Sequence, residues 1–593
     1  MGESRQGKRK EAILGTAVFL VITLGFYFIL FWKFTPIFGI NDDWTVYMVL
    51  SGSYLGEPDP YVLFFLYPLA WLISTLYRIT PAIPWYGLLL HGCFILSGFW
   101  LFYRFFMRME GRVKKLLSGS FVLILYWISN LQVLIAIQYT HSAAICGAAA
   151  IFLFFTADTK EKDWKGFLWA NLPTLLMVAL AVCIRKNAAF MCLPIAGMLF
   201  LVKWWMEEKK ITSESMKKYG GFAAALLLTM GVLLLSQEIA YSSPEWSEYA
   251  KVNYYREKVV DFYGTPGYEM MADVAEEIGM SEEQYNISCD VLNFYTGNIP
   301  YSQFLQIMME RSKAAYDKAH PFGQRFRQAN QQMLDSLQTQ ELSPQNQIVI
   351  LLAAGLLLLF VLSGESRGSV TLLAYLFGRF FAWYYILFNG RFPLRIPQCL
   401  LSIDVMVLLG IGLYFMGLLR EQEGRKRRIL QAATAVLAGL FFISSYKGIR
   451  KIDGSDDYVD IFQDRWYGVK EYCMNHPENM YLLNGGSQTL YYFSDNVLDT
   501  RTIGRSQNYY ANSNFYSLSP NFYKKTGIEP GSDVAEALLE QENNYWIYEE
   551  GYFDQHRKTL DYYLNRYDTF TYELVDTFST ETSTFEVYRF SRQ

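Results

Sequence analysis

The feature that most constrains the fold of this chain is a series of long apolar segments along its 593 residues. The first runs from about Ala12 to Trp32, which is long enough to cross a bilayer, and the basic residues before it predict a cytoplasmic N-terminus. No small-residue cleavage site follows, so we predict a retained span rather than a signal peptide. The further predicted spans are 84–106, 116–137, 140–157, 166–184, 188–205, 219–241, 346–363, 369–388, 397–418 and 429–446.

The distribution of basic residues indicates whether the apolar stretch at 60–78 crosses the membrane. If it crossed the membrane, the basic loops that follow, such as Arg425–Arg428, would lie outside, against the positive-inside rule. We therefore predict that 42–55 and 60–78 are helices that lie on, or dip into, the outer face. Pro58 and Pro68 suit such broken, interfacial segments. The sequence thus predicts a polytopic α-helical membrane protein with about 11 transmembrane helices, its N-terminus inside and its C-terminus outside.

Two polar stretches account for a mean hydropathy of only +0.10 in a chain that is 52% hydrophobic. Both fall on the outer side in this topology, the first as a helical loop and the second as a small α/β domain. The α/β prediction rests on short apolar strands at 480–484 and 545–549, on helical stretches at 532–541 and 553–567, and on a C-terminal hairpin pattern. Asn484–Ser487 is typical of a turn. The predicted units are 1–241 with its first outer loop at 34–83, then 242–345, 346–446 and 447–593.

Composition excludes some classes of function. The net charge is -4, so no basic field indicates a nucleic-acid partner. The five His and seven Cys form neither an HExxH nor a CxxC motif, which argues against a zinc site. Cys289 and Cys473 are the two cysteines outside the predicted spans and their short loops, and the sequence leaves open a disulfide between them.

An acidic pair, Asp42 and Asp43, follows Asn41 at the start of the first outer loop. One interpretation is a general base or metal ligand that faces a lipid-borne substrate. The other is a helix N-cap, since Asn or Asp ahead of WTVYMVL caps a helix well. Both interpretations hold if one residue caps and the other acts as a base.

Basic residues at the predicted outer ends of spans are the second unusual feature. Arg185-Lys186 lies between two spans, and Arg391 and Arg395 lie in GRFPLR. The planar guanidinium group matches a pair of phosphate oxygens, so these residues are candidate phosphate ligands. The alternative is that they snorkel toward lipid headgroups.

Three further polar residues lie in or beside spans. Arg379 and Asp404 fall inside predicted spans, where a charged group usually faces a cavity, a partner or a substrate. They either line a substrate cavity or pair with each other. His141 lies in a tight outer turn, where it is either a second cavity residue or a satisfied turn residue.

These residues and their order resemble the GT-C superfamily of membrane glycosyltransferases, which includes protein O-mannosyltransferases and the aminoarabinose transferase of lipid A. The resemblance rests on a cytoplasmic N-terminus, an outer loop that opens with NDDWTVYMVL, two interfacial helices, many spans and an outer soluble domain. NGRFPLR at 389–395 also looks like bacterial members of this group.

The resemblance implies a bacterial cytoplasmic-membrane enzyme that uses a polyprenyl-phosphate-linked sugar and an acceptor that is a glycan, a lipid or a protein. Asp42 or Asp43 would be the general base, and direct displacement would invert the anomeric centre. Arg391 and Arg395, with Arg185 and Lys186 as further candidates, would bind the donor phosphate. Asn41, His141 and Arg379 would line the cavity. Some relatives hold a divalent metal at the acidic pair, and the sequence leaves open whether Asp42 and Asp43 do so.

Two other classes of protein remain open. A transporter or flippase of a lipid-linked sugar also carries charges inside the membrane. A non-catalytic scaffold in envelope assembly would use its outer domain to bind a partner.

Overall fold

The computed structural model describes residues 5–208, 210–290, 294–339, 342–417, 439–440, 443, 456–483, 495–511, 515–554, 557 and 570–592. The predicted span at 429–446, apart from 439–440 and 443, lies outside these residues, as do the turn at 484–487 and all but a few residues of the helix at 553–567.

Long apolar helices dominate the part of the chain before residue 242. A long first helix is followed by short helices and then by a bundle around α7, whose residues are all buried. The helices are α1 (Arg5–Lys33), α2 (Asn41–Leu50), α3 (Tyr67–Ile79), α4 (Trp85–Arg108), α5 (Arg112–Ser129), α6 (Leu131–Ile135), α7 (Tyr139–Thr156), α8 (Trp164–Ala170), α9 (Leu172–Met191), α10 (Leu193–Glu208) and α11 (Ser213–Ala240).

Among the described residues, eight helices are long and apolar enough to cross a membrane, which is compatible with a polytopic helical membrane protein. Each coincides with a predicted span. They are Arg9–Lys33, Trp85–Arg108, Tyr139–Thr156, Leu172–Met191, Ser213–Ala240, Gln345–Ser363, Ser366–Phe388 and Arg395–Tyr414. The spans predicted at 116–137 and 188–205 overlap α5, of 18 residues, and α10, of 16 residues, neither of which meets these criteria.

A backbone break separates the spans predicted at 166–184 and 188–205. Arg185 has φ -159° and ψ 103°, so α9 is interrupted at the position where the sequence predicts a tight loop. The break leaves the Cys183 carbonyl without its helical partner, and the N–H group of Leu66 donates to it at 2.8 Å. This bond fixes the start of α3 against the bundle.

The stretch at 242–345 is helical, as the sequence predicts. It contains α12 (Pro244–Glu257), which continues into a wider turn at Lys258–Tyr263, and then α13 (Tyr268–Glu277), α14 (Glu282–Asp290), α15 (Tyr301–Ala319) and α16 (Phe322–Gln338). The chain returns to the bundle with α17 (Ser343–Ser363), α18 (Ser366–Phe388) and α19 (Arg395–Tyr414).

The C-terminal part forms a five-stranded sheet in which the predicted strands and hairpin are confirmed. Its elements are α20 (Asp456–Asn475), β3 (Met480–Leu483), β4 (Tyr509–Ala511), α21 (Pro520–Thr526), α22 (Val534–Glu540), β5 (Asn544–Glu549), β6 (Phe570–Ser579) and β7 (Thr584–Arg592). β3 pairs in parallel with β4 and β5, while β5 pairs with β7, and β7 with β6, in antiparallel fashion. Cys289 and Cys473 are both free, so they form no disulfide.

The C-terminal domain covers the first loop. Trp44 of α2 packs edge-on against Trp466 at 5.7 Å between ring centroids, and the Ser53 hydroxyl donates to the Thr502 carbonyl at 2.8 Å. Helix α2 ends at Leu50, so the helix predicted at 42–55 is shorter than expected. It is buried between the bundle and this domain.

Candidate functional site

Two short strands place the acidic pair. β1 (Ile37–Phe38) pairs in parallel with β2 (Ala136–Ile137), and the N–H group of Gly39 donates to the Ile137 carbonyl at 2.8 Å. A β-carbon at Gly39 would lie 2.6 Å from the Ala136 carbonyl oxygen, so glycine permits this close approach. The pairing sets the first turn of α2 beside the first turn of α7.

The N-cap interpretation of the acidic pair is wrong. Helix α2 begins at Asn41 with Ile40 at the N-cap position, and no side chain caps it. Asp42 and Asp43 lie instead in the first helical turn, where their negative charge interacts favourably with the helix dipole. The side chain of Asn41 lies outside the described part of the structure.

Asp43 is fully buried and holds two helices together. Its Oδ1 atom accepts hydrogen bonds from the Tyr86 hydroxyl at 2.7 Å and from the Tyr139 N–H group at 2.9 Å. No partner for Oδ2 is found among the described residues. Burial raises the pKa of this carboxyl group well above its usual value, an effect that the two hydrogen bonds partly offset and the nearby Asp42 adds to.

Asp42 is partly exposed and has a different environment. The Tyr139 hydroxyl donates to its Oδ2 atom at 3.2 Å, and the same hydroxyl accepts a hydrogen bond from Arg185. A carboxylate, a phenol and a guanidinium group therefore form one chain. Asp42 is therefore the more exposed carboxylate of the pair.

The break in α9 positions Arg185 against this cluster. Its guanidinium carbon lies 4.7 Å from the Tyr139 ring centroid and 5.2 Å from the Phe64 ring centroid. Stacking of this kind leaves the edge of the guanidinium plane available to bind an anion. Lys186, the next residue, is exposed, and no contact between it and the acidic pair is found among the described residues.

Arg395 lies near both Tyr139 and His141. Arg395 begins α19 and lies within electrostatic range of Tyr139 and His141. His141 is buried beside Arg395 and Gln398. The structure thus brings together Asp42, Asp43, Arg185, Arg395 and His141, which the sequence analysis selected from four separate segments.

Two selected residues have other partners. Arg391 forms an ion pair with Asp261, at 3.0 Å, in the helical stretch that follows α12. Arg379 pairs with Asp404 at 2.6 Å inside the bundle, so the interpretation that these two charges satisfy each other is confirmed. The guanidinium group of Arg379 therefore has a fixed structural partner.

Sequence reasoning missed the aromatic residues of the site. Nothing in the sequence distinguishes Tyr86 and Tyr139 from the many other aromatic residues near the ends of the predicted spans. Phe515 of the C-terminal domain packs on Phe64 at 4.5 Å between ring centroids, which extends the wall of the site with a residue from about 450 positions further along the chain. The Tyr249 hydroxyl donates a hydrogen bond to the Phe515 carbonyl at 2.9 Å.

The donor set at the acidic pair does not fit a resident divalent metal ion. Asp43 uses Oδ1 for two hydrogen bonds, and the guanidinium group of Arg185 stands close to Asp42 and Asp43. Among the described residues, no group of three or more His, Cys, Asp or Glu side chains could hold a metal. Hard divalent cations favour six or more oxygen ligands, so we derive no chemical step through a metal.

Comparison with known proteins finds no matching family model and no matching curated protein.

Proposed function

We propose that this chain is an integral-membrane glycosyltransferase that moves a sugar from a polyprenyl-phosphate donor to an acceptor in the cell envelope. In this proposal it crosses the bacterial cytoplasmic membrane about eleven times, with the acidic pair and the C-terminal domain on the outer side. The observation that carries the proposal is the partly exposed carboxylate of Asp42, which shares the hydroxyl of Tyr139 with Arg185.

Asp42 acts as the general base. It takes the proton from an acceptor hydroxyl as the oxygen attacks the anomeric carbon of the sugar. The new carbon–oxygen bond forms while the bond to the phosphate oxygen breaks, and polyprenyl phosphate leaves with the electron pair. Displacement from the opposite face inverts the anomeric centre.

Asp43 is a positioning residue in this scheme. Its full burial keeps it from the acceptor, while its bonds to Tyr86 and to the Tyr139 backbone fix the first turns of α2 and α7. The Tyr139 hydroxyl then holds the Asp42 carboxylate in one orientation. Preorganisation of this kind lowers the cost of reaching the transition state.

Arg185 and Arg395 stabilise the charge that develops on the departing phosphate. Both lie within electrostatic range of Tyr139, and no carboxylate is hydrogen-bonded to either one among the described residues. Arg391, which is already paired with Asp261, has the weaker claim to this role. A guanidinium group that keeps its donors free binds a phosphate more strongly than one whose charge is neutralised.

The test is transfer from a panel of radiolabelled polyprenyl-phosphate sugars to native membrane extract by the purified protein. The proposal expects one donor to be consumed, with the label appearing in an acceptor, and expects Asp42→Asn to abolish that transfer. A folded protein that transfers no sugar from any donor contradicts it. A lipid-linked sugar that crosses proteoliposome membranes without being cleaved would favour a flippase instead.

A further inference from the structure

A second cavity lies away from the acidic pair, where the loop helices meet the end of α18. It encloses about 360 Å³ between the end of α15, the first half of α16 and the last turn of α18. This volume is within the usual range for small-molecule sites. Its lining includes Tyr316, His320, Arg325, Gln328, Gln332 and Phe388.

The polar wall of this cavity is rich in hydrogen-bond donors. Arg325 bonds to Asp317 through a terminal nitrogen and lies over the Tyr316 ring, 5.0 Å from its centroid. Its Nε atom is buried and has no partner among the described residues. His320 stacks on Tyr316, and its Nδ1–H group donates to the Tyr316 carbonyl at 3.0 Å, so Nε2 of the neutral ring is an acceptor.

The charge balance of the lining favours an anion. It contains three glutamine amides and Arg325, which shares the Asp317 carboxylate with Lys313, so these three charged groups leave one net positive charge beside the cavity. Guanidinium and amide N–H groups are the donors that bind phosphate oxygens in proteins.

The other side of the cavity is apolar and joins an exposed apolar surface. Phe322 is 75% exposed, and its ring packs against Phe388 at 5.4 Å between centroids. Phe326 is also exposed and packs against Tyr384 at 5.9 Å. Helix α18 is long and apolar enough to cross a membrane, and it carries further exposed aromatic rings at Phe377, Phe381 and Tyr385.

Helix α16 therefore has the character of an amphipathic helix at the membrane surface. Its exposed apolar residues continue the face of α18, while Arg325, Arg327 and its glutamines supply the polar side. Helices of this composition lie in the headgroup region of a bilayer with their apolar face toward the acyl chains.

We propose that this cavity binds the phosphate headgroup of one anionic phospholipid, whose acyl chains lie along the exposed aromatic face of α18. Arg325 and the glutamine amides contact the headgroup, and Phe322 and Phe388 contact the first part of the chains. The proposal is independent of sugar transfer, because its residues are separate from Asp42, Tyr139 and Arg185.

Native mass spectrometry of the purified full-length protein in detergent tests this proposal. Phosphatidylglycerol and phosphatidylcholine are the probes, added separately at increasing concentration. We expect one tightly bound phosphatidylglycerol and about tenfold weaker binding of phosphatidylcholine, because the choline cation cancels the net negative charge of that lipid and is repelled by the positive charge beside the cavity.

Two variants with matched controls locate the lipid. Arg325→Gln removes the guanidinium group from the cavity, whereas Arg327→Gln removes the same charge from an exposed position outside the lining. Gln332→Trp fills the cavity, whereas Gln324→Trp adds the same ring outside it. We expect about a tenfold loss of phosphatidylglycerol affinity in the first member of each pair and less than about a twofold change in the second.

Equal binding of the two lipids overturns the proposal, as does unchanged binding in both Arg325→Gln and Gln332→Trp. Added polyprenyl phosphate and inorganic phosphate identify the source of the phosphate. Displacement of phosphatidylglycerol by an equal amount of polyprenyl phosphate would assign the cavity to a prenyl lipid, and displacement by low concentrations of inorganic phosphate would assign it to a free anion. Either result overturns the phospholipid assignment.

Discussion

The Tyr139 hydroxyl lies 3.2 Å from the Oδ2 atom of Asp42, so a hydrogen bond between side chains joins the first turns of α2 and α7. Arg185 donates to the same hydroxyl. We expect Tyr139→Phe to lower sugar transfer about tenfold or more, because it removes a hydrogen bond to a charged group. Initial rates of transfer at saturating donor measure the effect.

Tyr86→Phe is the contrasting variant. The Tyr86 hydroxyl bonds to buried Asp43 rather than to Asp42, so its loss should lower the melting temperature more than Tyr139→Phe does. Transfer by Tyr139→Phe that equals the wild-type rate would remove Tyr139 from the site.

Asp43 predicts a characteristic dependence of stability on pH. Its pKa in the folded protein is raised, so the stability linked to its proton is fully present below the unfolded pKa and is lost as the pH rises through the folded pKa. Asp43→Asn keeps the shape and the acceptor oxygen but carries no charge. We therefore expect this variant to melt no lower than the wild type at neutral pH.

The difference in melting temperature between Asp43→Asn and the wild type should grow with pH. Melting curves between about pH 5 and pH 8 should show the advantage of Asp43→Asn increasing as the wild-type carboxyl group ionises. Asp42→Asn is the matched control, since the partly exposed Asp42 lacks this burial. A melting temperature of Asp43→Asn that lies well below the wild type at every pH would contradict this account of Asp43.

Gly39 tests the strand pairing that builds the site. A methyl group there would lie 2.6 Å from the Ala136 carbonyl oxygen and 2.5 Å from Gln138 Cγ, so Gly39→Ala should separate β1 from β2. Overpacking of this kind costs about 1–3 kcal/mol. We expect a lower melting temperature and a larger loss of transfer.

Gly25→Ala is the control for Gly39→Ala. It adds the same methyl group within α1, where nothing lies within 4 Å. It should leave both the melting temperature and the transfer rate close to wild type. Equal effects of the two substitutions would show that the β1–β2 contact does not support the site.

Topology can be measured with single cysteines in the described part of the chain. Cys289 is the half-buried native cysteine and the other six are buried, so a Cys289→Ser background is suitable. Glu529→Cys places an exposed thiol in the C-terminal domain, and Glu161→Cys places one in the loop after α7. An impermeant maleimide should label the first on intact cells and the second only after permeabilisation, and the reverse pattern would contradict the predicted orientation.

The sequence predicts the helices of the bundle and the strands of the C-terminal domain because both depend on local periodicity. It also selects Asp42, Asp43, Arg185 and Arg395, since charge at the end of an apolar segment is conspicuous. It does not predict the pairing of β1 with β2, because two-residue strands carry no pattern. Nor does it predict that Phe515 packs on Phe64, since that contact depends on how a distant domain docks.

The ion pair of Arg391 shows a further limit of prediction from the sequence. Arg391 and Arg395 look equivalent in the sequence, and only the docking of residues 258–263 against the loop before α19 distinguishes them. A carboxylate at 3.0 Å neutralises Arg391, whereas Arg395 lies within electrostatic range of Tyr139 and His141. Tertiary contacts of this type decide which cation is available to a phosphate.

The rate of sugar transfer by Asp42→Asn relative to Asp43→Asn tests the central claim most directly. With the donor that the wild type uses, we expect Asp42→Asn to lose transfer by at least about a hundredfold, as loss of a general base implies, while still binding the donor. We expect Asp43→Asn to keep measurable transfer. Full activity of Asp42→Asn, or loss confined to Asp43→Asn, would contradict the assignment of Asp42 as the base.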